Sequence, residues 1–151
     1  MIRLLTISIF ISSLASAQKD FTPLKLHLPK NQLEPKHINF ANEAIYLDDQ
    51  KCFSYVKKQN VIIDNETVPN YFEISSLDHK VLFSGIIRKN VDGNFESKIT
   101  FHPIDKIYTN SKVIGRNDLI LNLSSNQVIN NNCSLNLENL RLFYEKSNEN
   151  N

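Results

Sequence analysis

The sequence predicts a mainly β protein, an antiparallel β-sandwich or partly open barrel with at most one helix, placed at the C-terminus. Three observations carry that expectation. Short runs rich in Val, Ile, Tyr and Phe recur along the chain with turn residues between them. Several of these runs alternate apolar and polar residues with the period of a half-buried strand. Pro23, Pro29 and Pro35 exclude a long helix in the stretch they punctuate, because proline lacks the N–H and restricts the residue before it.

The elements follow in order. Arg3, the uncharged and mostly apolar run Leu4 to Leu14, and Ala15-Ser16-Ala17 together have the form of a cleavable signal peptide over residues 1–17. Eleven helical residues rise about 16 Å, half of what a bilayer requires, so the run is no membrane span. The expected exported product is a single β-rich domain over residues 18–146, in a secreted or periplasmic location, with a disordered tail at 147–151.

Within that domain Leu24, Leu26 and Leu28 alternate with Lys25 and His27 as a strand. Glu43 to Leu47 is too short to assign, Asp48-Asp49-Gln50 turns, and Cys52 to Lys57 is rich in strand formers. Val61-Ile62-Ile63 is a short β-branched run. Tyr71 to Leu77 and Val81 to Lys89 flank Asp78-His79 as a hairpin, and Phe95 to Phe101 alternates cleanly. Between the last two, Asn90 and Gly93 suit a three-residue loop in which a type I turn is followed by a left-handed glycine. That register sets Phe83 against Phe101, Gly85 against Ile99, Ile87 against Ser97 and Arg88 against Glu96. Asp118 to Leu123 reads as a further strand. The segment 136–146 is compatible with a hairpin or a helix. The helix is preferred because Asn136 suits a cap and Glu138 does not suit a tight turn.

Composition excludes several function classes. Lys and Arg number 17 against 16 Asp and Glu, so no basic field exists for nucleic acid or an anionic membrane. Three glycines leave no phosphate-cradling loop or dinucleotide fingerprint. Four histidines, at 27, 37, 79 and 102, show no metal-ligand spacing, and no nucleophile elbow is present, so no catalytic residue, metal or cofactor is expected. The three Asn-x-Ser/Thr sequons are about as many as chance gives in so Asn-rich a chain, and Asn is the expected occupant of left-handed turn positions.

Two features remain. Cys52 and Cys133 lie 81 positions apart, and in an exported chain they are expected to form a structural disulfide. The chain-entropy limit for such a loop is about 4.5 kcal/mol. Along the strand at Cys52, strict alternation puts Lys51, Phe53, Tyr55 and Lys57 on the face opposite the cysteine. If the disulfide side is the buried one, two aromatics flanked by two lysines face outward as a binding stripe. The functional expectation is therefore a small exported non-catalytic domain that binds a macromolecular partner, protein or glycan, in the manner of an inhibitor or immunity protein. The alternatives are a carrier of a small apolar ligand and a small hydrolase.

Overall fold

The computed structural model describes residue 35 and residues 37–150. The expected signal peptide and the Leu24–Leu28 strand lie outside the described residues. Within them the chain is mainly β, 43% strand against 21% helix, which fits the expected sandwich or open-barrel class. Seven strands form one antiparallel sheet: β1 (Ile38–Ala41), β2 (Ala44–Leu47), β3 (Gln50–Lys58), β6 (Tyr71–Ser75), β7 (Val81–Lys89), β8 (Phe95–Phe101) and β9 (Lys106–Thr109). They follow chain order across the sheet, interrupted once by a two-stranded hairpin of β4 (Val61–Ile63) and β5 (Glu66–Val68).

Consecutive strands are joined by tight turns that need positive φ, and the chain supplies it almost without glycine. Asn42-Glu43, Asp48-Asp49 and Asp64-Asn65 occupy such pairs, with φ between 47° and 67°. Asn and Asp tolerate this region because their short polar side chains bond locally to the backbone. The glycine turn is the one the sequence predicts. Gly93 has φ +85°, its N–H donates to the Asn90 carbonyl at 2.9 Å, and the Asn90 N–H donates to the Asn94 carbonyl at 2.7 Å. The β7–β8 register is Phe83↔Phe101, Gly85↔Ile99, Ile87↔Ser97 and Arg88↔Glu96, as expected, and the last pair forms an ion pair at 2.9 Å. Gly85 allows close approach of β8: a Cβ there would meet the Lys98 carbonyl oxygen and lie 2.8 Å from Ile99 Cα.

Two helices cover one face of the sheet. α1 (Arg116–Ser125) replaces the strand expected at Asp118–Leu123. Its apolar run suits either period, but Leu119, Ile120, Leu123 and Ser124 fall on one helical face and are buried, whereas Leu121 is exposed. Asp118 in its first turn accepts the Ile114 N–H at 3.3 Å, which secures the helical entry. α2 (Leu137–Ser147) is the expected C-terminal helix, and the Asn136 side chain caps it by accepting the Asn139 N–H at 3.0 Å. The C-terminal residues up to 150 lie against the sheet. Ser147 is still helical, Asn148 Oδ1 accepts the Thr109 N–H at 2.8 Å, and the Glu149 N–H donates to the Thr109 carbonyl at 2.9 Å. The open edge of β9 holds these residues in place.

Leu140 and Phe143 of α2 join Leu119, Ile120 and Leu123 of α1 against Phe53, Phe72, Ile74, Phe83, Ile99, Phe101 and Tyr108 of the sheet. Phe101 stacks on Tyr108 at 4.8 Å and Phe143 lies 5.4 Å from Tyr108, so aromatic packing centres this core. The disulfide Cys52–Cys133 forms, tying β3 to the loop between the helices. On the opposite face the β4–β5 hairpin folds back onto β8, where Lys98 Nζ meets Asp64 Oδ2 at 3.1 Å. Among the described residues no helix is long and apolar enough to cross a membrane.

Candidate functional site

The register of β3 decides where the expected binding stripe lies. Ile45 of β2 pairs with Phe53, but the next residue, Tyr46, pairs with Lys51, so Cys52 is the extra residue of a β-bulge. A bulge breaks alternation and lets two neighbours point the same way. Cys52 and Phe53 are both buried on the helix-covered face, at 3% and 1% exposure. The expectation of Phe53 facing outward opposite the cysteine is therefore corrected: its ring is in the core. Lys51 is exposed and, as the partner of Tyr46, belongs to the other face. The stripe is divided by one inserted residue.

Beyond the bulge the alternation resumes, and Tyr55 and Lys57 stay on the helix side, paired with Ile74 and Phe72 of β6. The helices do not cover this end. α1 begins only at Arg116, and the sheet beneath its first residue carries an aromatic row. Phe40 of β1 meets Tyr55 edge-to-face at 5.2 Å, and Tyr55 stacks against Phe72 at 6.4 Å. The Arg116 guanidinium lies over the first two rings, 4.4 Å from the centroid of Phe40 and 4.9 Å from that of Tyr55.

A hollow of about 310 Å³ opens on each side of the Arg116 side chain. One is walled by Phe72, Ile87 and Ile114, the other by Phe40, Glu43 and Val56; Tyr55, Lys57 and Arg116 border both. Two cations, Arg116 and Lys57, and one carboxylate, Glu43, border the shelf. Neither Arg116 nor Lys57 has a carboxylate within ion-pair distance among the described residues. Arg116 also sits in the first turn of α1, where the helix dipole disfavours a positive charge. The guanidinium lies over two rings that meet edge-to-face, and no described residue takes its N–H groups in a salt bridge; arginine so placed can take a carboxylate through two parallel hydrogen bonds. The shelf can thus bind an anionic group beside an aromatic or aliphatic one.

Sequence reasoning found Tyr55 and Lys57 and missed Phe40, Phe72 and Arg116. No local pattern joins residues so distant in the chain; the isolated Arg116 next to Gly115 is the nearest thing to a signal.

Two other places bear on the alternatives. Ser84 Oγ lies 2.7 Å from His102 Nε2, a hydroxyl–imidazole contact of the kind hydrolases use. Ser84 is only 2% exposed, so the contact gives a buried hydroxyl its partner on a strand end that Pro103 terminates. Between the β4–β5 hairpin and the sheet runs a groove of about 330 Å³, with Val68, Ile86 and Ile107 among its apolar walls and Arg88, Glu96 and Lys98 among its polar ones. Among the described residues no three His, Cys, Asp or Glu gather in a metal-binding group. No family of known proteins, no curated protein and no solved structure matches this chain, so its function is argued from the site alone.

Proposed function

We propose that the chain is a small exported, non-catalytic binding domain that docks a protein partner on the aromatic shelf under Arg116. One observation carries the reading: a guanidinium lying over Phe40 and Tyr55 with no carboxylate partner among the described residues, beside a second such cation, Lys57. Half-buried aromatics rimmed by an exposed arginine are the composition of an interface hot spot. The disulfide accords with an oxidising compartment outside the cytoplasm. An inhibitor or immunity protein is the kind of binder that a small stapled β domain suits.

The test is capture from the organism's extracytoplasmic fraction on the immobilised protein, compared with Arg116→Ala and with Arg88→Ala as a control cation elsewhere on the sheet. A partner retained by the parent and by Arg88→Ala, and lost with Arg116→Ala, supports the shelf. The same proteins retained by all three would remove it. A second reading, carriage of a small apolar ligand, is favoured by the groove under the β4–β5 hairpin. It predicts that an apolar dye binds the parent and is displaced when Ile107→Lys charges the groove wall.

A further inference from the structure

The two edges of the seven-stranded sheet are not alike. At β9 the chain's own tail closes the end of the strand, with Asn148 and Glu149 taking the Thr109 backbone groups. At β1 the hydrogen-bonding parity leaves groups open. The two-residue turn Asn42-Glu43 makes Ala41↔Ala44 the bonded pair beside it. The Asp48 N–H donates to the His37 carbonyl at 3.0 Å, which fixes the same parity at the other end. Asn39 and Ala41 therefore bond inward to β2, while Ile38 and Phe40 each point one N–H and one C=O away from the sheet. No described residue takes them.

An unprotected edge is a template for another strand. We infer that the free edge of β1 is a strand-addition site for an extended peptide in which a carboxylate side chain stands two residues from an apolar one, the carboxylate falling beside Phe40 and the apolar group beside Ile38. The inference rests on the shelf being the binding surface and names the chemistry of its partner. Ile38 and Phe40 share the helix-side face, as their partners Leu47 and Ile45 show by their burial. Cross-strand neighbours on one face stand roughly 5 Å apart at Cβ. The guanidinium lies over that ring, 4.4 Å from its centroid and 4.9 Å from that of Tyr55 further in, so a carboxylate opposite Phe40 approaches it from the open edge.

Charge selects the occupant. A carboxylate there meets the open N–H edge of Arg116, whereas a lysine would be repelled. A second copy pairing edge to edge would bring two unpaired guanidiniums onto the same face of the joined sheet, which disfavours self-association. A strand added here also contacts Phe40 from the side that β2 leaves bare, so backbone bonds supply affinity and the Arg116 contact supplies selectivity.

The experiment is fluorescence anisotropy on the full chain. The probe is a labelled eight-residue peptide of Thr and Val carrying Leu and Asp two positions apart. Three comparisons accompany it: the same peptide with Asp→Asn, the same peptide N-methylated on alternate backbone nitrogens of its pairing edge, and the Arg116→Ala protein. We expect the parent peptide to bind, Asp→Asn and Arg116→Ala each to weaken binding at least tenfold, and N-methylation to abolish it. Equal binding of the N-methylated peptide, still lost with Arg116→Ala, would overturn strand addition and leave the shelf as the binding surface. Binding that ignores both Asp→Asn and Arg116→Ala would overturn the shelf as well. No binding by any probe, or a dimer in sedimentation without peptide, would overturn the inference; partner capture that depends on Arg116 would still stand.

Discussion

Truncating Phe53 and Tyr55 separately measures how far the helices cover this strand. The two residues are two positions apart and share the helix-side face. They are not equally enclosed. Phe53 is 1% exposed within the core, while Tyr55 is half-buried at its open end. Phe53→Ala removes a fully enclosed ring and leaves a cavity, at a cost of about 3–5 kcal/mol. Tyr55→Ala loses partial burial and its contacts with Phe40 and Phe72, each aromatic pair being worth about 0.5–1.5 kcal/mol, so its total falls at about 1–3 kcal/mol. The chain has no tryptophan, so equilibrium urea unfolding is best followed by far-UV circular dichroism. With a slope of about 2 kcal/mol per molar urea, the Phe53 variant should lose about 1.5–2.5 M from the midpoint, and the Tyr55 variant about 0.5–1.5 M. A loss below about 1 kcal/mol for Phe53→Ala, with a larger one for Tyr55→Ala, would refute the burial of Phe53 and return it to the surface.

Three further outcomes are expected. Gly93→Ala should cost about 1–2 kcal/mol and Gly93→Asn less, because a Cβ there meets open space, with Lys89 Cε 3.8 Å away, and the whole penalty is that of the left-handed backbone; chemical denaturation checks both. Reducing Cys52–Cys133 should lower stability by about 2–4 kcal/mol, read as a drop in thermal midpoint with reductant. Burial raises the Tyr108 phenol above its ordinary value of 10.0. The folded state therefore keeps a proton that the unfolded state releases. That contribution is complete below about pH 10 and is lost as pH rises through the folded-state value, so Tyr108→Phe should unfold less steeply in alkali than the parent.

Much of the sheet was legible because its signals are local. The Asn90–Asn94 loop carries its register in its own turn chemistry, since Gly at the left-handed position and Asn at the turn's start leave one pairing that segregates the apolar faces. Asn136 announced the C-terminal helix for the same reason: a cap is satisfied by a residue three positions away. The Asp118–Leu123 segment was not legible. Four apolar residues in six suit a buried strand as well as a helix face, and only the packing of Leu119, Ile120 and Leu123 against the sheet selects the helical period. The contacts of Asn148 and Glu149 were not legible either, because their partner groups belong to Thr109, far away in sequence.

The candidate site shows the same division. Its composition, neutrality and lack of catalytic spacing were properties of the sequence, and so was the pairing of the only two cysteines. Tyr55 and Lys57 could be nominated from one strand's alternation. Their true surroundings could not, because the bulge arises where β2 meets β3, and nothing in the order Lys51-Cys52-Phe53 states that a residue is inserted relative to the partner strand. Arg116 reaches Phe40 and Tyr55 only after the chain has crossed the whole sheet and returned as α1. Local sequence determined the turns, the caps and the alternation, since those interactions close within a few residues. The face each strand buries, the edge left open at β1 and the guanidinium over two rings were decided by tertiary structure, since each depends on which distant backbone comes to lie alongside.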